Sequence, residues 1–263
     1  MGILPNCKDP ILTALKSKGY NIVQLPRVDL IPTQLLVANN RKLQRLGEIT
    51  SVFVQNPGAP AFPQIRPDQP GPNIAVTKSA DLDLGVGLSI LGGLISALGG
   101  ATLGLNLAYS KARRIQMEYS ATLENSAELA MIDQFLAGAS VNPYSRAAME
   151  MLDKDKVYVV TSTLKASKLN VTATDAGKNS IGIDVPVLSG AIGGNLKVSS
   201  ASADNSTVTF EGKVPLVFAF QAVQLIFDEG IYRTMKLVDA GGVVAEATAG
   251  APLMADPDSL LFD

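Results

Sequence analysis

LDLGVGLSILGGLISALGGATLGLNLAYS, residues 82–110, carries no charged side chain between Asp83 and Lys111. By apolar length alone the run is long enough to cross a bilayer as a helix. Its fine pattern points elsewhere. Leu82, Leu84, Val86, Leu88 and Ile90 alternate with Asp83, Gly85, Gly87 and Ser89. Leu103, Leu105, Leu107 and Tyr109 alternate with Gly104, Asn106, Ala108 and Ser110. A period of two describes a strand with one apolar and one polar face. The limbs are joined by a glycine-rich patch from Gly92-Gly93 to Gly99-Gly100. The stretch therefore predicts a hairpin able to face lipid on one side and water on the other. Two other arrangements fit the same composition: a buried helix or core hairpin, and a membrane helix dimerising through the small-xxx-small spacing of Ser96, Gly100 and Gly104. The glycines weigh against a free-standing helix, since each costs about 0.8–1 kcal/mol relative to alanine.

A second stretch shares the design without repeating the sequence. Ile181, Ile183, Val185 and Val187 alternate with Gly182, Asp184 and Pro186; a Gly-rich middle from Leu188 to Asn195 follows. A weaker limb then carries Leu196, Val198 and, past Asp204-Asn205, Val208 and Phe210. An ordinary antiparallel sheet would show some of the same alternation.

Composition excludes whole classes of chemistry. The 263 residues include no His, no Trp and one Cys. A His-dependent triad is impossible, His- or Cys-based metal sites are not expected, and no disulfide can close within the chain. No basic flank and apolar run open the sequence as a signal peptide would, so a cytoplasmic protein is expected. Asp81/Asp83 and Asp153/Asp155 are carboxylate pairs that an enzyme could use, but no catalytic residue stands out. Net charge is −2, distributed unevenly. Five of the 24 acids (Asp239, Glu246, Asp256, Asp258 and Asp263) follow the last base, Lys236, so the chain before them sets 22 bases against 19 acids. Removing the tail turns the sign towards attraction for anionic headgroups.

In chain order, residues 9–19 read as a helix with Asp9 as N-cap, Pro10 at the first position and Gly19 as the stop. Tyr20 to Leu25 reads as a strand that Pro26 and Pro32 confine to an edge or bend. Arg41, Lys42 and Arg45 form a basic cluster, explained by a solvated face or by phosphate contact. Ile49–Val54 reads as a strand, and the proline-rich Asn56–Asn73 as an extended connector. Lys111, Arg113 and Arg114 form a second basic knot against the apolar limb, as an interfacial anchor would. Alternation resumes at Ile115, Met117 and Tyr119, predicting one strand from Leu103 to Tyr119. Glu124–Ala137 and Asn142–Asp153 read as helices. Val157–Thr163 reads as a strand and Asp175–Asn179 as a turn. Val214–Phe227, apolar on both faces, reads as a central buried strand. Asp228-Glu229-Gly230 turns it into Ile231–Val238. The Ala-rich tail ends in the apolar residues Leu253, Met254, Leu260, Leu261 and Phe262 among acids, either a fraying terminus or a strap on an apolar groove. Cys7 is either a small packing residue or the site of a thioester-linked acyl chain; Asn6 spoils a myristoylation pattern at Gly2.

Leu15–Gly47, running LKSKGYNIVQLPRVDLIP over residues 15–32 and closing on Leu46-Gly47, resembles the N-terminal block of the bacterial gasdermins. Phe218–Tyr232, ending Phe-Asp-Glu-Gly-Ile-Tyr, is similar to a late block of the same family, as are the length and the short tail. The resemblance implies a gasdermin N-terminal-domain-like α+β fold: a twisted mixed or antiparallel central sheet, peripheral helices and a C-terminal strap. It implies a pore-forming domain over residues 1–239 and an autoinhibitory tail over 240–263. It implies a cytoplasmic monomer when intact, activation by a neighbouring protease, often caspase-like, and a homo-oligomeric β-barrel in the inner membrane that kills the cell during phage defence. Both alternating stretches would be its transmembrane hairpins, Cys7 its palmitoylated cysteine, and anionic lipids its partners. Lysines and arginines of the two basic clusters would meet headgroups. No nucleic acid and no cofactor beyond the palmitoyl group are implied. The scissile bond does not carry over. Residues 239–252 hold no Lys, Arg or aromatic, which leaves Gly241, Gly242, Val243, Val244 and Ala245 as the cleavage region. The competing expectation is a soluble binding or scaffold protein with a Gly-rich core hairpin.

Overall fold

Two long antiparallel strands, Val157–Thr174 and Thr207–Asp228, form the spine of a twelve-stranded sheet. The computed structural model describes residues 15, 18–39, 42–72, 80–193 and 196–237. In chain order, β1 (Asn21–Arg27), β2 (Gln34–Asn39) and β3 (Lys42–Glu48) lead to α1 (Ile49–Val52) and β4 (Phe53–Gln55). Next come β5 (Ile65–Pro70), β6 (Ala80–Asp83), α2 (Leu84–Ala97), α3 (Leu105–Ala108), β7 (Arg114–Ser120) and β8 (Leu123–Ala127). They are followed by α4 (Leu129–Ala137), β9 (Ala139–Val141), α5 (Arg146–Leu152) and the first spine strand, β10. Last are β11 (Ser180–Ile181), α6 (Val185–Ile192), β12 (Lys197–Ser200), the second spine strand β13, and β14 (Ile231–Leu237).

Short strands border the spine at successive heights. Along β10 lie β2, β8 and β7; along β13 lie β14, β1 and β12. β3, β5 and β6 extend the β10 side outward by one strand each. Every pairing among the described residues is antiparallel, so the expected α+β fold with a central sheet is present, with no parallel component among them. The spine strands suit their place. β10 is rich in Val and Thr, and Leu216–Phe220 of β13 is buried on both faces; β-branched and aromatic residues pack well on a pleated surface. Register shifts between Val160/Ser162, Leu164/Lys165 and Ala166/Lys168 bend the ribbon, as bulges do.

Three cores divide the sheet. Beneath α2, α3 and α6 lie Ile115, Met117, Leu169, Val171, Phe210 and Phe218, with Tyr119 and Phe218 stacked at 4.0 Å. At the other end, Phe135 and Leu136 of α4 pack on Val157, Val159 and Leu225, and Phe53 stacks on Phe227 at 5.6 Å. The third core joins Val23, Leu36, Leu43, Tyr158, Val160 and Phe220, and no described helix contributes to it.

Several expectations are corrected. Leu84–Ala97 and Leu105–Ala108 are helices rather than strands, and the strand expected from Leu103 starts only at Arg114. Val185 and Val187 likewise lie on a helix, with only Ser180–Ile181 extended before it. A lone hairpin would leave its outer backbone groups unpaired, whereas a helix satisfies its own. Ile49–Val52 is a helical turn that brings Ile49 and Val52 into the core. Ile65–Pro70, inside the proline-rich connector, is an exposed edge strand with irregular register around Asp68. Leu123–Ala127 is a strand, so the expected helix from Glu124 begins at Leu129. Strands at Asn21–Arg27 and Ile231–Leu237 agree with the sequence. The strand expected over Val214–Phe227 is longer, running from Thr207 to Asp228 and taking in Val208 and Phe210, and Glu229 and Gly230 both adopt positive φ in the turn that follows it. Of the helix expected over residues 9–19, Leu15 is helical and Gly19 has φ +77°; most of the rest lies outside the described residues.

Candidate membrane-inserting segments

Both alternating stretches interrupt neighbouring antiparallel pairs. The α2–α3 segment links β6 to β7, which pair from Ala80↔Met117 to Asp83↔Arg114. The segment holding β11, α6 and β12 links β10 to β13, which pair from Lys168↔Glu211 to Thr172↔Thr207. β7 in turn pairs with β10 from Ser120↔Lys168 to Arg114↔Thr174. Four adjacent strands thus end at one edge of the sheet, and each joining segment folds back over the first core.

Glycine lets these segments lie close. At Gly87 a β-carbon would stand 2.9 Å from the Ile115 Cβ, so α2 approaches β7 as nearly as a backbone can. α2 ends in a glycine stop: Gly99 has φ +80°, its N–H donates to Ser96 at 3.0 Å, and the Gly100 N–H donates to Ile95 at 2.8 Å. This pair of bonds satisfies carbonyls that a helix end leaves open. Leu98, beside the stop, packs on Gly212 of β13, where no β-carbon fits. The two segments also hold each other. Ala101 N–H donates to the Ile192 carbonyl at 3.2 Å, and a β-carbon on Gly100 would sit 2.8 Å from the Ile192 Cγ2. α6 begins with Asp184 as its N-cap, accepting from the Val187 N–H at 3.5 Å, and Pro186 stands in its first turn.

Of the residues singled out by alternation, Leu105, Tyr109, Ile183, Leu196, Val208 and Phe210 are buried in the first core. Leu84, Leu88, Ile90, Ile181, Val185 and Val198 are half-buried against it. Val86 lies on α2. Leu103 is 81% exposed, Leu107 72% and Val187 42%, large apolar surface presented to solvent along the same segments. The buried Tyr109 hydroxyl has no hydrogen-bond partner among the described residues, a cost of about 1–3 kcal/mol. Held as they are, the segments are not fully satisfied.

The basic residues divide. Arg45 bonds Asp29 at 3.3 Å, and Arg27 pairs with the same carboxylate, holding it below the usual range. Lys42 opens β3, and Arg41 lies outside the described residues. Lys111 and Arg113 are exposed and Arg114 half-exposed, and among the described residues no ion pair engages them. Cys7, the tail residues Leu253, Met254, Leu260, Leu261 and Phe262, and the cleavage region Gly241, Gly242, Val243, Val244 and Ala245 all lie outside the described residues. No cluster of His, Cys, Asp or Glu among the described residues could hold a metal ion, and no described helix is long and apolar enough to cross a membrane.

Alternation located the segments but not their seats. Gly212 carries no periodic signal, and the alternation sets Gly87 on the polar face of a strand rather than against Ile115; only a glycine within a strand or an apolar helix hints at a close approach. Asp184 with Pro186 was a readable helix start that the alternation masked.

The family model described as Bacterial Gasdermin Family matches residues 23–233. A gasdermin from Lysobacter enzymogenes is 59% identical over 270 residues, covering 100% of both chains. One from a Desulfuromonadales bacterium is 38% identical, covering 94% of this chain and 92% of its own. Among solved structures, a bacterial gasdermin from Bradyrhizobium tropiciagri superposes with a TM-score of 0.61 at 18% identity, covering 88% of this chain and 92% of that one.

Proposed function

This chain belongs to the bacterial gasdermin family, and we propose that it is an autoinhibited pore-forming protein activated by proteolytic removal of its C-terminal tail. The observation that carries this is the storage of both alternating stretches in folded-back form, the first as α2 and α3 and the second as β11, α6 and β12, between strands that are already antiparallel neighbours. Unwinding the helices and releasing β11 from β10 and β12 from β13 lets these neighbours lengthen without a new strand order. In lipid each unpaired backbone group costs several kcal/mol, so the strands enter only as part of a closed ring of subunits. The intact protein is then a cytoplasmic monomer and the cut protein a homo-oligomer.

Residues 1–239 form the pore-forming domain and residues 240–263 the tail. The third core is the surface on which we set the tail: Tyr158, Val160 and Phe220 are buried on a face to which no described helix contributes. Leu260, Leu261 and Phe262 suit an apolar groove, each worth about 1.5–3 kcal/mol when buried. Together they bias a closed–open equilibrium by orders of magnitude. Cutting within Gly241–Ala245 also removes the acidic tail, and the remaining basic surplus favours anionic lipid. Lys111, Arg113 and Arg114, with Arg41, Lys42 and Arg45, meet headgroups. Cys7 carries a palmitoyl chain that adds affinity for the bilayer. No catalytic role is assigned. A caspase-like protease licensed by phage infection opens the inner membrane through this protein and ends the cell.

The test is a full-length chain with a protease site inserted at Gly241-Gly242, expressed beside an inducible protease. Induction is expected to depolarise the inner membrane and arrest growth. A released tail with an intact membrane potential overturns the proposal.

A further inference from the structure

The closed sheet fixes the register of the inserted hairpins. We infer that β6, β7, β10 and β13 keep their present pairing when α2, α3 and α6 unwind, so that both hairpin tips, their lipid face and their pore face are already set. The inference rests on the pore-forming reading above and adds to it which residue meets which.

The first hairpin follows from β6 and β7. Their pairs run without a shift from Ala80↔Met117 to Asp83↔Arg114. The ladder already extends one residue further, since the Leu84 N–H donates to the Arg113 carbonyl at 3.2 Å. Carried on, the register sets Leu88 opposite Tyr109, Ile90 opposite Leu107 and Leu94 opposite Leu103. It closes on Leu98-Gly99. The second hairpin follows from lower β10 and β13, which pair without a shift from Lys168↔Glu211 to Thr172↔Thr207. Carried on, it sets Ile181 opposite Val198 and Ile183 opposite Leu196, and closes on Ser189-Gly190. Both tips are two-residue turns ending in glycine, the residue such turns favour.

Two independent features agree with this register. First, β7 and β10 pair without a shift from Ser120↔Lys168 to Arg114↔Thr174. Extending that third register sets Gly99 opposite Ser189, so the two tips fall on the same rung. Nothing in either hairpin alone requires it. Second, directly opposed residues share a face. All the apolar residues that alternation singled out in the four limbs then lie on one face of the extended sheet, the face that also carries Met117, Val171 and Val208. Of the five charges in the second hairpin, Lys178, Asp184 and Lys197 fall on the opposite face; Asp175 and Asp204 oppose each other on the apolar face, at the hairpin's base on the rung of Arg113. A one-residue slip at any of the three interfaces breaks this segregation.

The dimensions fit a bilayer. Each limb of the first hairpin runs uncharged for about ten residues from the tip to the Leu88–Tyr109 rung, and a tilted transmembrane strand needs about 9–11. Tyr109, whose buried hydroxyl is unpartnered in the closed form, arrives at the interfacial level that aromatic girdles occupy. Lys111 follows it on the same face, and its stem reaches towards the headgroups.

The test uses Cys7→Ser protein with an engineered protease site, inserted into liposomes of phosphatidylglycerol and phosphatidylethanolamine. Cysteines at Ile90→Cys with Leu107→Cys are expected to join on oxidation after insertion. Pairs slipped by one or two residues, Ser89→Cys or Gly92→Cys with Leu107→Cys, are expected to stay apart. Efficient joining of a slipped pair in leaking liposomes overturns the register while leaving pore formation intact. No leakage from the cut chain that retains Cys7, run beside it, overturns the pore-forming reading itself. A polarity-sensitive dye on single cysteines gives a second readout: apolar emission at Leu103, Leu107 and Ile183, aqueous emission at Asn106, Asp184 and Lys197. Uniform emission along either limb overturns the assignment of faces.

Discussion

Leu98 rests on the bare backbone of Gly212, and no β-carbon fits between them. In the inserted register proposed above Leu98 moves to a hairpin tip, so the contact would belong to the closed form alone. Gly212→Ala is therefore expected to weaken the closed form by about 1–3 kcal/mol, the usual cost of overpacking. For a chain of this size about 2–4 °C of Tm is lost per kcal/mol. Differential scanning calorimetry reads the loss, and dye release after tail cleavage should be faster. An unchanged Tm would mean that Leu98 is not seated on β13.

Exposed and buried members of the same limb separate folding from insertion. Leu107 is 72% exposed and Leu105 only 4%. Leu107→Asp is expected to leave the Tm of the uncut protein unchanged and to abolish leakage by the cut protein. Leu105→Asp places a carboxylate in the first core, where an unpaired charge costs several kcal/mol, so it fails earlier, in folding. Wild-type leakage from Leu107→Asp would take the first hairpin out of the membrane.

These contrasts bear on how much the sequence discloses. The period of two in residues 84–110 belongs to the strands we propose for the inserted form, and the helices of the closed fold hide behind it. Glycine's penalty in isolated helices misleads here, because at Gly87 close packing on Ile115 outweighs it. The halves Val157–Thr163 and Val214–Phe227 of the spine strands are legible because β-branched and doubly apolar runs have few other homes; their continuations to Thr174 and back to Thr207, mixed in polarity, are not. The edge strand Ile65–Pro70 was not, since its prolines sit where no outer neighbour asks for a donor. Cores that join residues far apart, such as Val23 with Phe220, leave no local trace.

Alkaline pH should unfold the closed form. Burial raises the phenol of Tyr20, with the Glu124 charge adding and a Ser162 hydrogen bond opposing; its hydroxyl donates to Glu124 at 2.9 Å. Burial also raises Tyr158, with the charge of Asp155 adding. Burial and the 2.5 Å hydrogen bond to Asp133 raise Tyr232. Groups raised in the folded state contribute stability that is full below the unfolded value, about 10, and is lost as pH climbs towards their folded values. Ultraviolet titration should show these phenols ionising only with unfolding. Reversible ionisation of all tyrosines near their free value, with the fold intact, would contradict this.

Acylation is a separate question with a direct reading. Intact-protein mass spectrometry of chain expressed in bacteria should show a palmitoyl adduct that Cys7→Ala erases. An adduct that persists in Cys7→Ala would place the modification elsewhere, because the chain has one cysteine.

In the proposed mechanism the tail alone holds a membrane-competent sheet closed. Dye release from anionic liposomes tests it, comparing the full-length chain before and after cutting at a protease site engineered at Gly241. No release is expected from the intact chain and rapid release after the cut. Silence from both forms, with circular dichroism showing the cut protein still folded, would contradict it.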